Sequence, residues 1–172
     1  MAATDEMAAI ACRYRPHACC IVPERREERT TESGLDVAGL GPRLHEIVGR
    51  LADAGTRVSL FVDADARQLE AAAAAGAAVV ELHTGTYADA SAAARDGQRS
   101  RLAEGARLAA ALGLEVHAGH GLDFGNVGPV AALPEVVELN IGHFLVGEAV
   151  FMGFAPTIRR MRALMDEARG AP

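Results

Sequence analysis

Short apolar runs alternate with polar, helix-forming stretches along the whole of this 172-residue chain. The apolar runs are rich in valine, leucine and isoleucine and are short enough to be single buried strands. Strands are therefore predicted over residues 17–22, 57–63, 77–84, 114–118 and 136–141.

The segments between these strands carry helical patterns. Leu44, Ile47, Val48 and Leu51 recur at the spacing of one helix face, and the stretch 87–112 is rich in Ala, Arg and Leu. Strands that alternate with helices of this length form βαβ units. The pattern thus predicts a mostly parallel sheet with buried, continuously apolar strands.

Two folds satisfy that pattern, a doubly wound sheet and a (β/α)8 barrel. Polar residues lie in or just after the C-terminal halves of the predicted strands, namely Glu81, His83, His120, Asn140 and His143. A barrel keeps its active site at this end of its strands. A doubly wound sheet also binds ligands there, but usually with a GxGxxG or Walker loop, and neither motif is present. The barrel is favoured.

A complete barrel has eight strands and about 250 residues, whereas five strands are found in this chain. We therefore expect residues 1–172 to form a single α/β domain, the C-terminal portion of a partial (β/α)8 TIM barrel with outer helices. Three N-terminal βα units, on the order of 70 residues, would be missing. The two edge strands of such an open barrel invite pairing with another chain.

Composition narrows the classes of partner and location. Seventeen basic and twenty-three acidic residues give a net charge of −6, which argues against nucleic acid or an anionic membrane as the main partner. The N-terminus lacks the pattern of a signal peptide, so a cytoplasmic protein is expected. Cys12, Cys19 and Cys20 lack any zinc-ligand spacing and are read as reduced cysteines buried in a core strand.

Three histidines and one glutamate are candidates for acid-base chemistry. Glu81 and His83 share strand parity and project from one face, either as a proton-transferring pair or as a satisfied core pair. His120 stands between two glycines at a strand-to-loop turn, where it can act as a general acid. His117 is read as a hydrogen-bonded or helix-facing histidine, because its odd spacing from His120 argues against a shared metal.

Glycine-histidine turns end the last two predicted strands, and the second turn, Gly142-His143, runs into a helical stretch. Free backbone N–H groups at a helix start attract anions, and glycine lets an anion come close. In barrels, the loops after the last two strands are the usual phosphate site. The competing interpretation is that these glycines merely permit close packing of strand and helix.

Six motifs in order resemble the pyridoxine 5'-phosphate synthase family. They are CCIVPE (19–24), TTESGLDVAG (30–39), VSLFVDAD (58–65), ELHTGTYADA (81–90), AGHGL (118–122) and ELNIGH (138–143). The resemblance covers nearly the whole chain. It implies a barrel that condenses 1-deoxyxylulose 5-phosphate with 3-amino-2-oxopropyl phosphate, releasing inorganic phosphate and water, with no metal or organic cofactor and with assembly into higher oligomers.

The resemblance also assigns roles to individual residues. Thr30 corresponds to a deoxyxylulose-phosphate contact, His120 to the proton donor and Gly121 to a substrate-backbone contact. Gly142 and His143 correspond to the phosphate-binding pair, while Glu81 corresponds to an active-site glutamate that relays a proton or positions substrate.

The family's N-terminal motifs, Asn-x-Asp-His and His-x-Arg-Glu-Asp, are absent from this sequence, as is a catalytic glutamate. The resemblance places the general base and several substrate-binding arginines there, so we expect this polypeptide to be inactive alone. One alternative is a non-catalytic phosphate-binding half-barrel that assembles with a separate N-terminal fragment. Another is an unrelated phosphate-binding isomerase or aldolase, although the chain has no lysine for a Schiff base.

Overall fold

A computed structural model describes residues 1–23 and 33–170 of the chain. Five strands lie close to the predicted positions and confirm the pattern. They are β1 (Ala18–Ile21), β2 (Arg57–Val62), β3 (Val79–His83), β4 (Glu115–Gly119) and β5 (Val136–Asn140).

Helices occupy most of the segments between strands. They are α1 (Asp5–Tyr14), α2 (Val37–Leu40), α3 (Pro42–Asp53), α4 (Ala66–Ala74), α5 (Gly85–Ala88), α6 (Ala92–Ala111), α7 (Val127–Ala131), α8 (His143–Met152) and α9 (Phe154–Ala168). The predicted helical stretch 87–112 is interrupted, because α5 ends at Ala88 and α6 starts only at Ala92. No helix in the described part of the chain is long and apolar enough to cross a membrane.

The strands form one parallel sheet in the order β1-β2-β3-β4-β5. A doubly wound sheet would reverse its strand order at a switch point, and no reversal occurs among the described strands. A sequential parallel sheet joined through helices is the arrangement of a barrel wall. The fold is therefore α/β, with five strands of a partial TIM-barrel-like wall.

Side chains alternate sharply between the two faces of this sheet. Val58, Leu60, Val80, Leu82 and Val116 lie on one face and are buried in a core that also contains the predicted helix stripe of α3. The opposite face carries mainly polar and charged side chains at the intervening positions, with Phe61 and Val79 as apolar exceptions. The expectation of continuously apolar strands was therefore wrong, although parts of the polar face, including Val79 and His83, are buried as well.

The cysteines only partly follow the prediction. All three are free, but each is half-buried, and Cys12 lies in α1 rather than in a strand. Cys19 and Cys20 are successive residues of β1 and so point to opposite faces, with Cys20 on the polar face. That position places the Cys20 thiol beside Glu81.

Candidate active site

The polar face of the sheet is organised by the register of β3 with β4. Glu81 pairs with His117, and His83 pairs with Gly119. Residues paired across parallel strands point to the same side, so the predicted common face of Glu81 and His83 is confirmed. The two side chains nevertheless do not form a pair with each other, since each has a different partner.

Glu81 is held by neighbours from both sides of its strand. The Asn140 side-chain amide donates to Glu81 Oε2 at 3.0 Å, and the Cys20 thiol lies 3.8 Å from the same oxygen. A Cβ atom on Gly119 would stand only 2.4 Å from Glu81 Oε1, so the carboxyl group crosses β4 where no side chain blocks it. The glutamate is thus held by side chains from β1 and β5, and Gly119 of β4 leaves the space for its carboxyl group.

Burial raises the pKa values of both Glu81 and Cys20. It raises the pKa of Glu81 above its ordinary value, although the hydrogen bonds from Cys20 and Asn140 oppose this rise. Burial, together with the charge of Glu81, raises the pKa of the Cys20 thiol to about 11. At neutral pH the thiol is therefore protonated and can donate to the carboxylate.

His120 lies just after β4 in a backbone conformation that side chains rarely adopt, with φ of 81°. A residue other than glycine in this region stores on the order of 1 kcal/mol or more of strain and needs support. Thr84 supplies that support, because its buried hydroxyl lies 2.6 Å from the carbonyl oxygens of both Gly119 and His120. The Thr84 N–H also donates to Gly119 at 2.8 Å. His120 itself stays exposed at the end of the sheet.

His83 is buried beside the His120 ring. Its Nδ1 atom lies 3.1 Å from Asp63 Oδ1, and the two imidazole centroids are 5.2 Å apart. The hydrogen bond with His83 is the main cause that holds the pKa of Asp63 below its ordinary value. Sequence reasoning missed both Asp63 and Thr84 as residues of the site. For Asp63 the available signal was its position directly after β2.

His117 lies opposite Glu81 but contacts a charged cluster that includes Arg57 and Glu115, the first residues of β2 and β4. Its Nε2 atom lies 2.9 Å from Glu115 and its Nδ1 atom 3.3 Å from Glu138, while Arg57 forms a bidentate pair with Glu115 at 2.7 and 2.8 Å. The prediction of a hydrogen-bonded histidine is confirmed, and the helix-facing alternative is wrong.

Gly142 and His143 form the start of α8, directly after β5. Gly142 is the N-cap residue without a side-chain cap, and both residues are exposed. A Cβ atom on Gly142 would meet nothing within 4 Å, so close packing does not explain this glycine. At Gly121 packing does matter, because φ is 75° and a Cβ atom would stand 2.8 Å from that of Ala88.

Thr30 lies outside the described residues. Within residues 1–23 and 33–170, no group of three or more His, Cys, Asp or Glu side chains is placed to hold a metal ion. Glu81 lies in the middle of β3, and its carboxyl group reaches toward Gly119 and Asn140 at the C-terminal ends of β4 and β5. His120 and the start of α8 follow these two strands directly or within a few residues.

Comparison with known proteins decides the family. The profile of the family described as "Pyridoxal phosphate biosynthesis protein PdxJ" matches residues 1–167. The chain belongs to the PdxJ family. It is 63% identical over 169 residues to a pyridoxine 5'-phosphate synthase of Rhodospirillum rubrum and 60% identical over 173 residues to one of Jannaschia sp.. These alignments cover 98% of this PdxJ chain and 68% and 70% of the relatives.

Solved structures with low sequence identity share the fold of this PdxJ chain. An HpcH/Hpal aldolase/citrate lyase family protein from Burkholderia cenocepacia has a TM-score of 0.59 at 16% identity, covering 96% of this chain and 73% of its own. A xylose isomerase domain protein from Planctomyces limnophilus has a TM-score of 0.56 at 12% identity, covering 91% of this chain and 65% of its own. At such identities the likeness concerns the fold alone.

The contact between Cys20 and Glu81 can be tested by thiol titration. In a background with Cys12→Ser and Cys19→Ser, Glu81→Gln removes a negative charge beside Cys20 and should lower its thiol pKa from about 11. Burial remains, so the pKa should stay above the ordinary thiol value. The pH dependence of alkylation by iodoacetamide measures the change. An unchanged profile would show that the two groups do not interact.

The Arg57–Glu115 pair predicts a pH dependence of stability. Hydrogen bonds from Arg57, and then from His117, lower the pKa of Glu115 from 4.5 to about 2, so its stabilising contribution is complete above 4.5 and lost as pH falls toward 2. Because both side chains are more than one-third exposed, Glu115→Gln should cost no more than about 1 kcal/mol at pH 7.

Urea unfolding of parent and variant at pH 7, 5 and 3 checks this prediction. The difference in unfolding free energy should shrink as pH falls through this window. Glu104→Gln on the exposed side of α6 serves as the matched control. A difference that stays constant with pH would contradict the assigned ion pair.

Proposed function

We propose that this PdxJ-family chain carries the acid and phosphate-binding part of a pyridoxine 5'-phosphate synthase site. The reaction would condense 1-deoxyxylulose 5-phosphate with 3-amino-2-oxopropyl phosphate, with release of inorganic phosphate and water. The observation that carries the proposal is the reach of the Glu81 carboxyl group to Gly119 and Asn140 on the two adjacent strands. Gly119 directly precedes His120, and Asn140 lies two residues before Gly142 at the start of α8.

His120 is proposed as the proton donor. Condensation of an amine with a ketone expels water, and each leaving oxygen needs a proton at the moment its bond to carbon breaks. An exposed imidazole on a supported turn suits this role, since the Thr84 N–H donates to the Gly119 carbonyl and the Thr84 hydroxyl lies within donating distance of the Gly119 and His120 carbonyls. Gly121, which follows in the same turn, would contact the substrate through its backbone.

Glu81 is proposed to relay a proton or to position the substrate. Its raised pKa brings proton exchange closer to neutral pH than for an exposed glutamate. The Cys20 thiol and the Asn140 amide hold the carboxyl group in place, so little reorganisation accompanies a change of charge.

A substrate phosphate is proposed to bind at Gly142 and His143. The first N–H groups of α8 have no intrahelical acceptor, and the helix dipole adds positive potential at this end. The open space around Gly142 leaves room for an anion to approach the backbone. Thr30, outside the described residues, would contribute a second substrate contact.

The general base is proposed to lie on further strands that complete the barrel. The family resemblance assigns the base to motifs that this sequence lacks, and β1 and β5 each pair with one strand only among the described elements. We propose accordingly that the single 1–172 domain is the C-terminal portion of the barrel. We also propose that the protein assembles into homo-oligomers and is located in the cytoplasm.

A non-catalytic half-barrel that captures a separate N-terminal fragment is the second candidate. One observation favours it. A groove of about 300 Å³ lies along β5 and α9 and is lined mainly by apolar residues, including Leu139, Leu145 and Met161. An incoming βα unit would extend the parallel ladder at β5 and cover this groove.

Turnover can be compared between the 172-residue chain and a completed barrel. The completed barrel is a fusion protein. In it, the N-terminal segment of the Rhodospirillum rubrum homologue is placed directly before Met1 of this chain. Without a positioned base, the chain alone should be slower by roughly 10² to 10⁴-fold. Product is measured by chromatography after incubation with both substrates.

Two variants of the completed barrel, His120→Gln and Glu81→Gln, should each lose most of the turnover. If the 172-residue chain turned over substrate as fast as the completed barrel, the proposal that the chain lacks the general base would be wrong. Absence of product from the completed barrel and from a mixture of separate fragments would refute the synthase function.

Phosphate binding is tested separately with inorganic phosphate and calorimetry. Gly142→Ala adds a methyl group that meets no protein atom, so the fold should be unaffected. A phosphate held by the backbone would meet that methyl group, and affinity should fall by about tenfold. Gly147→Ala in the same helix, also with open space around it, is the matched control. Equal affinities of the two variants would contradict the site.

A further inference from the structure

Four buried side-chain polar atoms in the described part of the chain have no hydrogen-bond partner there, and one of them, on His83, lies beside the His120 ring. His83 is only 2% exposed, and its Nε2 atom has no hydrogen-bond partner among the described residues. Leaving such an atom unpaired is destabilising, because it loses its hydrogen bond to water on folding. A group that carries this cost at the edge of a catalytic turn points to a partner in the working enzyme.

Asp63 decides which nitrogen of His83 carries the proton. Its pKa is lowered, chiefly by the hydrogen bond with His83, so the carboxyl group is ionised at neutral pH and can only accept. The Nδ1 atom, 3.1 Å away, must therefore donate. In neutral His83 the Nε2 atom then carries a lone pair and needs a donor.

The space in front of this lone pair is shared with His120. A Cβ atom on Gly85 would stand 2.4 Å from His83 Nε2 and 3.1 Å from His120 Cδ2, so the edges of both rings border the volume above this glycine. The rings are tilted by 53° with centroids 5.2 Å apart, and Phe61 packs edge-on against both. A small rotation of His120, or one water molecule, would bring a ring N–H to Nε2.

We propose that His83 is a positioning residue for His120, accepting a hydrogen bond from one His120 ring nitrogen so that the other nitrogen faces the substrate. The proposal rests on the proposed role of His120 as proton donor. His83 cannot touch the substrate itself, because its Nε2 atom is covered. In this proposal Asp63 orients His83, and His83 in turn fixes the orientation of the His120 ring from its buried side.

The first test needs no variant and no substrate. Long-range ¹H–¹⁵N spectra of the imidazoles in the 172-residue chain report the tautomer of each histidine. His83 should carry its proton on Nδ1 and His120 should show a single tautomer. A proton on Nε2 of neutral His83 would overturn the proposal, because no acceptor would face His120.

Two substitutions separate positioning from packing. His83→Asn keeps a donor for Asp63 and lacks the Nε2 acceptor, whereas His83→Gln places an amide near the Nε2 position and loses the Asp63 contact. Positioning predicts that His83→Asn turns the His120 signal into a mixture of tautomers and that His83→Gln restores part of the single form. His117→Asn, which alters a buried histidine of the other cluster, should leave His120 unchanged.

Kinetics of the completed barrel add a second readout. His83→Asn should lower kcat by up to about 100-fold with little change in KM, and His83→Gln should lower it less. A purely structural role predicts the reverse order, because only asparagine preserves the Asp63 contact. Should the barrel show no turnover at all, the proposed function falls while the tautomer measurement still decides on His83.

Discussion

The parallel pairing of β3 with β4 is the constraint on which the rest of the site depends. It sets Glu81 opposite His117 and His83 opposite Gly119, so one register fixes the positions of all four residues. A slip of one residue would send the polar side chains into the helix-covered core and the valines and leucines into the site. The buried apolar face therefore enforces the geometry of the polar face.

Small residues make that geometry usable. The absence of a side chain at Gly119 lets the Glu81 carboxyl group cross β4, and Gly85 leaves space between the His83 and His120 rings. In each case a single Cβ atom would collide with a side chain of the proposed site. These two glycines allow close approach between side chains, while Gly142 leaves open space at the start of α8.

The loop after β4 is held by contacts on several sides. These contacts suit the proposed role of His120 as a proton donor, which requires a fixed position. Asp123 accepts hydrogen bonds from the N–H groups of Gly125 and Asn126, and the Tyr87 hydroxyl donates to the Asn126 carbonyl at 2.8 Å. Phe124 packs edge-on against Phe144 in the first turn of α8. The segments that follow the two glycine-histidine turns are thus in contact with each other.

Sequence alone determined the elements, the parallel sheet and the common face of Glu81 and His83, because hydrophobic periodicity and strand parity are local properties. It also determined the family, through motifs spread along the chain. Only the tertiary structure decided that Glu81 lies with Cys20 and Asn140, and His83 with Asp63. These partners come from different strands, and the register that brings them together depends on the packing of the whole sheet rather than on spacing along the chain.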